Sequence, residues 1–348
     1  MSPSFRRWCF LSSVVLVSTI APAITVDADQ HHHQWPTFHQ LVDIKKGTNN
    51  VTGMSRLKHY FYRFGYLLPN IVDGDVGITS FTDDFDDSLE SAVVLYQSKL
   101  GLDVNGELDY LTIAQMMSPR CGVSDHTLVA GAIKHYAFFK GRPLWSTKRR
   151  PITLTYAFSP GNSIHYIEEG DIKAVFRRSF SRWAEAIPVI FKETTNYSKS
   201  NIRIGFYSGD HGDGEPFDGV LGILAHAFAP KDGRLHLDKA ERWTVDLKKE
   251  RSKVAIDLES VTTHEIGHIL GLAHSKIKDS VMYPSLGRRT RRVDLSIDDV
   301  EGVQTLYGSN PDFNFGSLNQ AEKSSSSLPP SSSIWFLVAL AMAATVVS

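Results

Sequence analysis

The sequence predicts an α+β domain, in which a sheet is covered by helices, behind a smaller domain built from helices alone. Residues 51–117 carry apolar positions at helical spacing. Residues 152–158 have the pattern of a strand, residues 168–186 that of an amphipathic helix, and residues 188–194 and 201–207 alternate like strands. A histidine-rich helix follows. This order of strand, helix, strands and helix is typical of α+β domains.

The helical domain should contain three short helices. Apolar side chains recur on one face of each, and a turn at Asn105-Gly106 separates the last two. The predicted inward residues are Leu57, Tyr60, Phe61 and Phe64 in the first helix, Leu89, Val93 and Tyr96 in the second, and residues 111–117 in the third. In the later domain, the first helix should turn Ile172, Val175, Phe176, Phe180 and Trp183 inward.

The chain begins with the features of a secretory signal peptide. Arg6 and Arg7 precede an apolar run over residues 8–20, and Ala21-Pro22-Ala23 supplies small residues for cleavage. The run is too short to span a bilayer, although a retained anchor is the alternative. Removal of this peptide would take away one of the two cysteines, which leaves a single thiol and no intramolecular disulfide.

The segment 264–275 carries the strongest chemical signal. His264 and His268 are four residues apart, so one face of a helix can aim both rings at a single divalent metal. A continuous helix would turn His274 away, but Gly271 can adopt the left-handed conformation that ends a helix and bring His274 back. Three neutral imidazoles would then hold zinc and leave its fourth position open for water, as in a catalytic site.

Glu265 is the predicted general base. It is next to a ligand in sequence but projects from another side of the helix, so it can reach the water instead of the metal. Zinc lowers the pKa of bound water to about 7, and the carboxylate would take the proton and pass it to the leaving amine. A core helix that contains histidines by chance is the alternative, and the number of fixed positions argues against it.

Met282 lies in the turn Val281-Met282-Tyr283-Pro284. The combination of this turn with the preceding histidine helix resembles the metzincin proteases, and among them the matrix metalloproteinases. The resemblance covers roughly residues 57–308. It implies a metzincin zinc-protease domain, with a twisted mixed sheet and three helices, behind a small three-helix propeptide domain. The sequence has no haemopexin-like repeat, so it is similar to the short matrix metalloproteinases of plants.

Cys121 stands in Pro119-Arg120-Cys121-Gly122-Val123-Ser124-Asp125, which resembles the cysteine switch of that family. Its thiolate would occupy the fourth position of zinc, exclude water and keep the enzyme latent until the propeptide is removed. The resemblance gives Arg120 and Asp125 the role of bracing this loop, and Ser124 replaces a proline of many members. A buried cysteine that acts as a small apolar side chain is the alternative.

Further metal sites are implied by the same resemblance. A second zinc, with four protein ligands and therefore structural, would be held by His211, Asp213, His226 and His236. A calcium ion would be held by the carboxylates of Asp218, Asp238 and Glu241 and by the carbonyl oxygens of Gly219, Leu221 and Ile223. Asn201 replaces an aspartate that is common in the family, so the sequence does not determine whether there are additional calcium sites.

Residues 221–228 should form the edge of the sheet above the cleft, where an extended substrate can pair as an added strand. By resemblance, residues 283–286 form a wall of the main specificity pocket, so a hydrophobic residue is expected after the cleaved bond. The basic run from Arg288 to Arg292 is either solvated surface or a means of attracting acidic substrates or wall polymers. A net charge of −1 argues against nucleic acid as a partner.

The end of the chain has the composition of a signal for a GPI anchor. A Ser/Pro tract over residues 324–333 precedes an apolar tail, and the attachment residue would be Ser325 or a neighbour between Ser324 and Ser327. A marginal transmembrane helix is the alternative. Asn50 and Asn196 each begin a glycosylation sequon.

These signals divide the chain into a signal peptide (1–23), a propeptide (24–140), a catalytic domain (141–310) and a linker with the anchor signal (311–348). They predict a secreted, latent zinc endopeptidase, anchored to the outer face of the plasma membrane, which cuts extracellular proteins or peptides after an unidentified protease removes the propeptide. A catalytically silent surface protein that keeps its metals for folding is one alternative, and the intact Glu265 argues against it. An exopeptidase is the other, and the open cleft disfavours it.

Overall fold

The computed structural model of the protein describes residues 38–68, 81–125, 136–145 and 150–314. The predicted signal peptide and the predicted anchor signal, with Ser325, lie outside these residues. Among the described residues, none of the helices combines the length and the apolar character that crossing a bilayer requires.

Three helices form the first domain, as predicted: α1 (Met54–Arg63), α2 (Asp87–Leu100) and α3 (Tyr110–Met116). Asp86 and Asp109 begin the last two, since each carboxylate accepts a hydrogen bond from the backbone N–H three residues on. The apolar faces of the helices pack into one buried cluster. Phe217, Ile223 and Tyr283 of the later domain belong to the same cluster, so the two domains share an apolar contact.

Five strands of the later domain form a mixed sheet in the order β5-β6-β4-β2-β3. They are β2 (Ile152–Phe158), β3 (Val189–Glu193), β4 (Ile202–Tyr207), β5 (Ile223–Ala227) and β6 (Arg234–Asp238). Neighbouring strands run parallel, except that β5 and β6 are antiparallel. Four of these strands coincide with segments that the sequence pattern indicates. The sequence pattern does not indicate β6, because its polar residues His236 and Asp238 interrupt the apolar alternation that marks a strand.

A two-residue strand of the predicted propeptide, β1 (Arg120–Cys121), adds to the sheet alongside β5 and parallel to it. The backbone N–H of Arg120 donates to the carbonyl oxygen of Gly222 at 3.0 Å, and that of Cys121 donates to the carbonyl oxygen of Pro284 at 2.8 Å. The propeptide strand therefore lies between β5 and the segment that follows Met282.

Three helices contribute to the core of this domain: α4 (Glu169–Ala186), α5 (Leu258–Ile269) and α6 (Ile297–Tyr307). The indole N–H of Trp183 in α4 donates to the carbonyl oxygen of Thr263 in α5 at 2.9 Å, which fixes the two helices against each other. Two short strands, β7 (Trp243–Thr244) and β8 (Ile256–Asp257), pair beside the start of α5. Asp257 caps α5 by accepting the N–H of Ser260.

Candidate metal centre

Helix α5 ends where the spacing of the histidines requires. Its last residue is Ile269, and Gly271 adopts φ +101°. The N–H of Leu272 then donates to the carbonyl oxygen of Gly267 at 3.0 Å, a bond that commonly closes helix C-termini with a left-handed glycine. A Cβ at position 271 would lie 2.3 Å from the carbonyl oxygen of Pro143, so glycine is needed for space as well as for conformation.

This turn brings three imidazole rings together. Nε2 of His268 lies 3.1 Å from Nε2 of His264 and 3.1 Å from Nε2 of His274. Burial lowers the pKa of all three rings, well below the usual value for His264 and His268, so the rings are neutral.

The other ring nitrogen of each histidine has a hydrogen-bond acceptor. Nδ1 of His264 donates to the carbonyl oxygen of Val281 at 2.7 Å, and Nδ1 of His268 donates to that of Leu272 at 2.8 Å. Nδ1 of His274 donates to a carboxylate oxygen of Asp125 at 2.6 Å. Because each Nδ1 carries the proton, the three facing Nε2 atoms present lone pairs to one another.

A cation between these lone pairs would turn a repulsive arrangement into a favourable one. The three imidazole nitrogens and the sulfur of Cys121 all lie within 4.8 Å of one another. A tetrahedral zinc with its usual bond lengths would separate such ligand atoms by about 3.3 to 3.6 Å. The Nε2 distances of 3.1 Å and the 3.4 Å from the Cys121 sulfur to Nε2 of His268 are close to those values, so these residues fit zinc.

Cys121 is buried at the fourth corner of this group. Besides Nε2 of His268, its sulfur meets the N–H of Val123 at 3.4 Å. Burial, and next the carboxylate of Glu265, raise the pKa of the thiol well above its usual range. The sulfur therefore lies next to both the imidazoles and the predicted base.

A buried ion pair holds the cysteine loop in place. Nη2 of Arg120 donates to both carboxylate oxygens of Asp125 at 2.8 Å, and its Nε donates to the carbonyl oxygen of Cys121 at 3.1 Å. The guanidinium lies 3.6 Å from the ring centre of Phe64, and the hydroxyl of Tyr66 donates to Asp125 at 2.7 Å. The sequence predicted the bracing pair, but not the bond from Asp125 to His274, which spans 149 positions of the chain.

Glu265 lies beside the same centre. Burial raises the pKa of its carboxyl group to about 8, and interaction with the Cys121 thiol opposes that shift. Apart from this thiol, neither carboxylate oxygen has a hydrogen-bond partner among the described residues. A buried carboxyl group of this kind can exchange a proton near neutral pH, which general acid–base catalysis requires.

Met282 lies under the histidine helix, and the turn around it is fastened by Asp299. A Cβ on Gly267 would lie 2.2 Å from the Met282 sulfur, so this sulfur packs directly on α5. The carboxylate of Asp299 accepts hydrogen bonds from the N–H groups of Val281 and Met282 at 2.9 and 3.1 Å. The sequence analysis does not single out Asp299, because its partners in the turn lie 17 and 18 positions away along the chain.

The four residues of the second predicted zinc site also meet. Oδ2 of Asp213 lies 2.8 Å from a ring nitrogen of each of His211, His226 and His236. His226 in β5 and His236 in β6 are directly opposite in the strand register. Burial lowers the pKa of both rings to about 4, so they are neutral. Nδ1 of His211 donates to the carbonyl oxygen of Gly209, which leaves its Nε2 lone pair facing the cluster.

The predicted calcium ligands are less tightly assembled. The carboxylates of Asp218, Asp238 and Glu241 accept hydrogen bonds from the backbone N–H groups of Ile223, Gly219 and Leu221 at 2.8, 3.2 and 2.6 Å, respectively. The structure thus pairs the acids with the three residues expected to offer carbonyl oxygens, but through their N–H groups. Burial raises the pKa of Asp238 to about 6 and that of Glu241 well above its usual value. In the described ranges, the close metal-ligand clusters are the two histidine groups.

Comparison with known proteins agrees with this geometry. Residues 144–308 match the matrixin family, and residues 51–116 match a family of peptidoglycan binding domains. The chain is 51% identical over 296 residues to the metalloendoproteinase 1-MMP of Arabidopsis thaliana, an alignment that covers 83% of this chain and 78% of that protein.

Two more distant relatives extend the comparison. Metalloendoproteinase 1 of Glycine max is 45% identical over 270 residues, which is 75% of this chain and 84% of that protein. Human matrix metalloproteinase-20 is 39% identical over 216 residues, which is 61% of this chain and 41% of that protein. The chain belongs to the matrixin family and is a zinc metalloendopeptidase, with a helical propeptide domain in front of its catalytic domain.

Proposed function

We propose that this protein is a secreted, latent endopeptidase that cuts extracellular proteins or peptides after its propeptide is removed. In this proposal His264, His268 and His274 hold the catalytic zinc, Glu265 is the general base and Cys121 maintains latency. The observation that carries it is the position of the Cys121 sulfur, 3.4 Å from Nε2 of His268 and beside Glu265, where the attacking water must stand.

Zinc held by the three imidazoles would supply a Lewis acid that polarises the scissile carbonyl and makes water more acidic. Glu265 takes the proton of the attacking water and then delivers it to the leaving amine. The Nδ1–H bonds of His264 and His268 to backbone carbonyls keep the rings aligned throughout. The edge of β5, which pairs with β1 in the latent form, becomes free to pair with a substrate strand.

Removal of the propeptide strand admits water to the site beside Glu265, where burial raises the pKa of the carboxyl group in the latent form. Activation therefore supplies the water that Glu265 is placed to deprotonate.

The activating protease is unknown, but packing bears on where it cuts. By resemblance the mature chain should begin between Lys134 and Trp145. The N–H of Ala273 donates to the carbonyl oxygen of Ala137 at 2.9 Å, and the indole N–H of Trp145 donates to the carbonyl oxygen of Ile269 at 2.9 Å. These bonds support both ends of the turn that carries His274. A cut near the start of that range would preserve them, which supports a domain boundary nearer residue 136 than residue 140.

We assign a structural zinc to His211, Asp213, His226 and His236, and a calcium ion to the loop with Asp218, Asp238 and Glu241. Glu241 supports the second assignment, because its Oε2 is buried without a hydrogen-bond partner in the described part of the chain. Thermal unfolding after chelation, with zinc and calcium added back separately, tests both sites. A full recovery with zinc alone would count against calcium.

Secretion and membrane attachment complete the proposal. Asn50 and Asn196 are both exposed, as glycosylation requires. Attachment at Ser325 through a GPI anchor would place the enzyme on the outer face of the plasma membrane. Treatment of cells with a phosphatidylinositol-specific phospholipase should release the activity, and retention of activity on the cells would count against the anchor.

Digestion of casein by the protein without its propeptide tests the catalytic assignments. We expect a chelator to abolish digestion and Glu265→Gln to reduce it at least about a thousandfold, because the base is lost while the histidines remain. Glu168→Gln, the same change at an exposed position, is the control. Digestion that survives in Glu265→Gln would refute the mechanism.

A further inference from the structure

Strand β3 is an edge of the sheet, on the side opposite to β1. At one end of its parallel ladder with β2, the N–H of Ile152 donates to the carbonyl oxygen of Pro188 at 3.0 Å. At the other end, the N–H of Thr194 donates to the carbonyl oxygen of Tyr156 at 2.9 Å. Because alternate residues of a strand bond to the same neighbour, the even-numbered residues from 188 to 194 pair with β2.

The odd-numbered residues of β3 direct their backbone groups away from the sheet. They are Val189, Phe191 and Glu193. The N–H of Val189 donates to the carbonyl oxygen of Ile187 at 2.8 Å, and in the described part of the chain no strand pairs with this edge. An unpaired strand edge of this kind can accept an extended peptide as an added strand.

A groove of about 950 Å³ lies along this edge, between β3 and α4. Its lining includes Pro188 at one end of the strand and Glu193 at the other, so it follows β3 over its whole length. Its floor is aromatic, because the ring of Phe180 stacks on the rings of Tyr156 and Phe191, with centroids 4.5 and 4.6 Å apart, respectively. An apolar side chain from an added strand would therefore meet an apolar surface.

The two ends of the groove carry arginines that differ in their partners. Arg177, at the end of β3, lies 3.7 Å from the carboxylate of Glu193. Arg150 lies beside the start of β3, since Ile152, two residues on, is opposite Val189 in the strand register. Arg150 is exposed, and among the described residues no carboxylate lies within ion-pair distance of it. The groove therefore has an uncompensated positive charge at one end, which favours an acidic partner.

We propose that β3 and this groove form a second binding site, which takes an extended segment of another protein as an added antiparallel strand. The segment carries an apolar side chain opposite Phe191 and a carboxylate two residues further on. Paired residues of neighbouring strands, and alternate residues of one strand, point to the same face, so both side chains would enter the groove. Antiparallel pairing is slightly the more stable arrangement, and it brings the carboxylate to the start of β3. There the Arg150 guanidinium can donate charge-assisted hydrogen bonds to it.

This site is separate from the catalytic cleft, because four strand spacings, about 19 Å, lie between β3 and β5. A second copy of the chain is a less suitable occupant. In an antiparallel pair of two β3 strands, the end of one strand faces the start of the other. At that end Glu193 is already held by Lys173 and Arg177 at 3.3 and 3.7 Å, so a second copy would bring more positive charge to Arg150. An acidic segment of another protein fits the groove better.

The test measures the binding of short fluorescent peptides to the uncleaved full chain by fluorescence anisotropy. In this form β1 covers the edge of β5, so binding does not report on the cleft. The probe alternates threonine with valine around a central phenylalanine and carries glutamate two residues after it, and a matched probe carries glutamine instead. We expect the glutamate probe to bind at least about tenfold more tightly. Arg150→Gln should bring this ratio to about one. Arg251→Gln, which removes an exposed arginine outside the groove, should leave it unchanged.

Two N-methylated probes test the strand addition itself. Phe191 directs its backbone groups outward, so in an antiparallel pair it exchanges both hydrogen bonds with the residue opposite, and N-methylation of the probe's phenylalanine should abolish binding. The N–H of the next threonine faces away from β3, and its methylation should leave binding nearly unchanged. Equal effects of the two methyl groups, no detectable binding of the glutamate probe, a glutamate-to-glutamine ratio near one in the parent, or an equal fall in Arg251→Gln would overturn the inference. Self-association of the chain that competes with the probe would overturn it too, since it would assign this edge to a second copy.

Discussion

The imidazole of His264 is oriented by a carbonyl oxygen, and that carbonyl is itself placed by a buried carboxylate. Asp299 accepts the N–H groups on both sides of the Val281 carbonyl, and its other contacts are to Ser280 and Ser296. In Asp299→Asn, the side-chain amide would place an N–H donor next to backbone N–H and hydroxyl groups that now donate to the carboxylate. At least one of these donors would lose its acceptor. We expect a loss of about 1–3 kcal/mol of stability and of about 10–100-fold in zinc affinity.

Urea unfolding and zinc titration against a competing chelator measure these two effects. Asp294→Asn makes the same chemical change on an exposed side chain and should alter stability by less than about 0.5 kcal/mol. Normal zinc affinity in Asp299→Asn would show that the turn holds His264 without this carboxylate.

At the scale of elements, the end of α5 decides whether a third imidazole can join the first two. Gly271→Ala should destabilise the protein by at least about 1–2 kcal/mol, since the new Cβ meets both an unfavourable φ and the Pro143 carbonyl. Zinc content after dialysis should fall with it. Gly170→Ala is the matched control, because Gly170 lies in α4 with open space around it. At that position alanine should increase the free energy of unfolding by about 0.5–1 kcal/mol.

The ion pairs between α4 and Glu259 of α5 should make the stability of the protein depend on pH. Burial raises the pKa of Glu259, but hydrogen bonds from Arg178 and the charges of Arg182 and Arg291 outweigh it and hold the pKa at about 2 against a usual 4.5. A depressed pKa contributes stability above pH 4.5 that is lost as pH falls from there toward 2. Since two of the three arginines are partly exposed, we expect the contribution to be about 1–3 kcal/mol.

Glu259→Gln tests this expectation. Unfolding midpoints in urea, taken between about pH 6 and pH 3, should show a shallower dependence on pH in the variant than in the parent. An unchanged slope would mean that other carboxylates dominate acid unfolding.

Local patterns predicted most of the elements but few of the contacts between them. The period of apolar residues placed α4 and four strands, and the spacing of His264, His268 and Gly271 predicted where α5 ends, because each depends on neighbouring positions. The hydrogen bond that Nδ1 of His274 donates to Asp125 could not be foreseen, since it joins segments 149 residues apart.

At the scale of the molecule, the propeptide contributes a strand, a candidate zinc ligand and a support for His274 at once. β1 occupies the free edge of β5, Cys121 lies against the imidazoles, and Asp125 bonds to His274. Arg120 ties all three to the helical domain through Phe64 and a hydrogen bond to the Tyr60 hydroxyl. The core of the helical domain thus stabilises the position of the sulfur.

Asp125→Asn should therefore weaken latency while Cys121 stays in the chain. Burial raises the pKa of Asp125, but Arg120 and His274 hold it well below its usual range, so the residue is a buried anion, and its partners are Arg120, His274 and the Tyr66 hydroxyl. Its loss leaves the Arg120 charge uncompensated, at a cost of about 3–5 kcal/mol. It also removes the acceptor of the His274 Nδ1–H, a bond between the propeptide and the catalytic domain that only the closed form makes. We expect the uncleaved chain to digest a fluorogenic peptide several-fold faster than its parent, and Asp103→Asn, on the exposed surface of the same domain, to behave like the parent. If Asp125→Asn stays as inactive as the parent while Cys121→Ala is active, the thiol holds the closed form by itself and the ion pair serves only the folding of the propeptide.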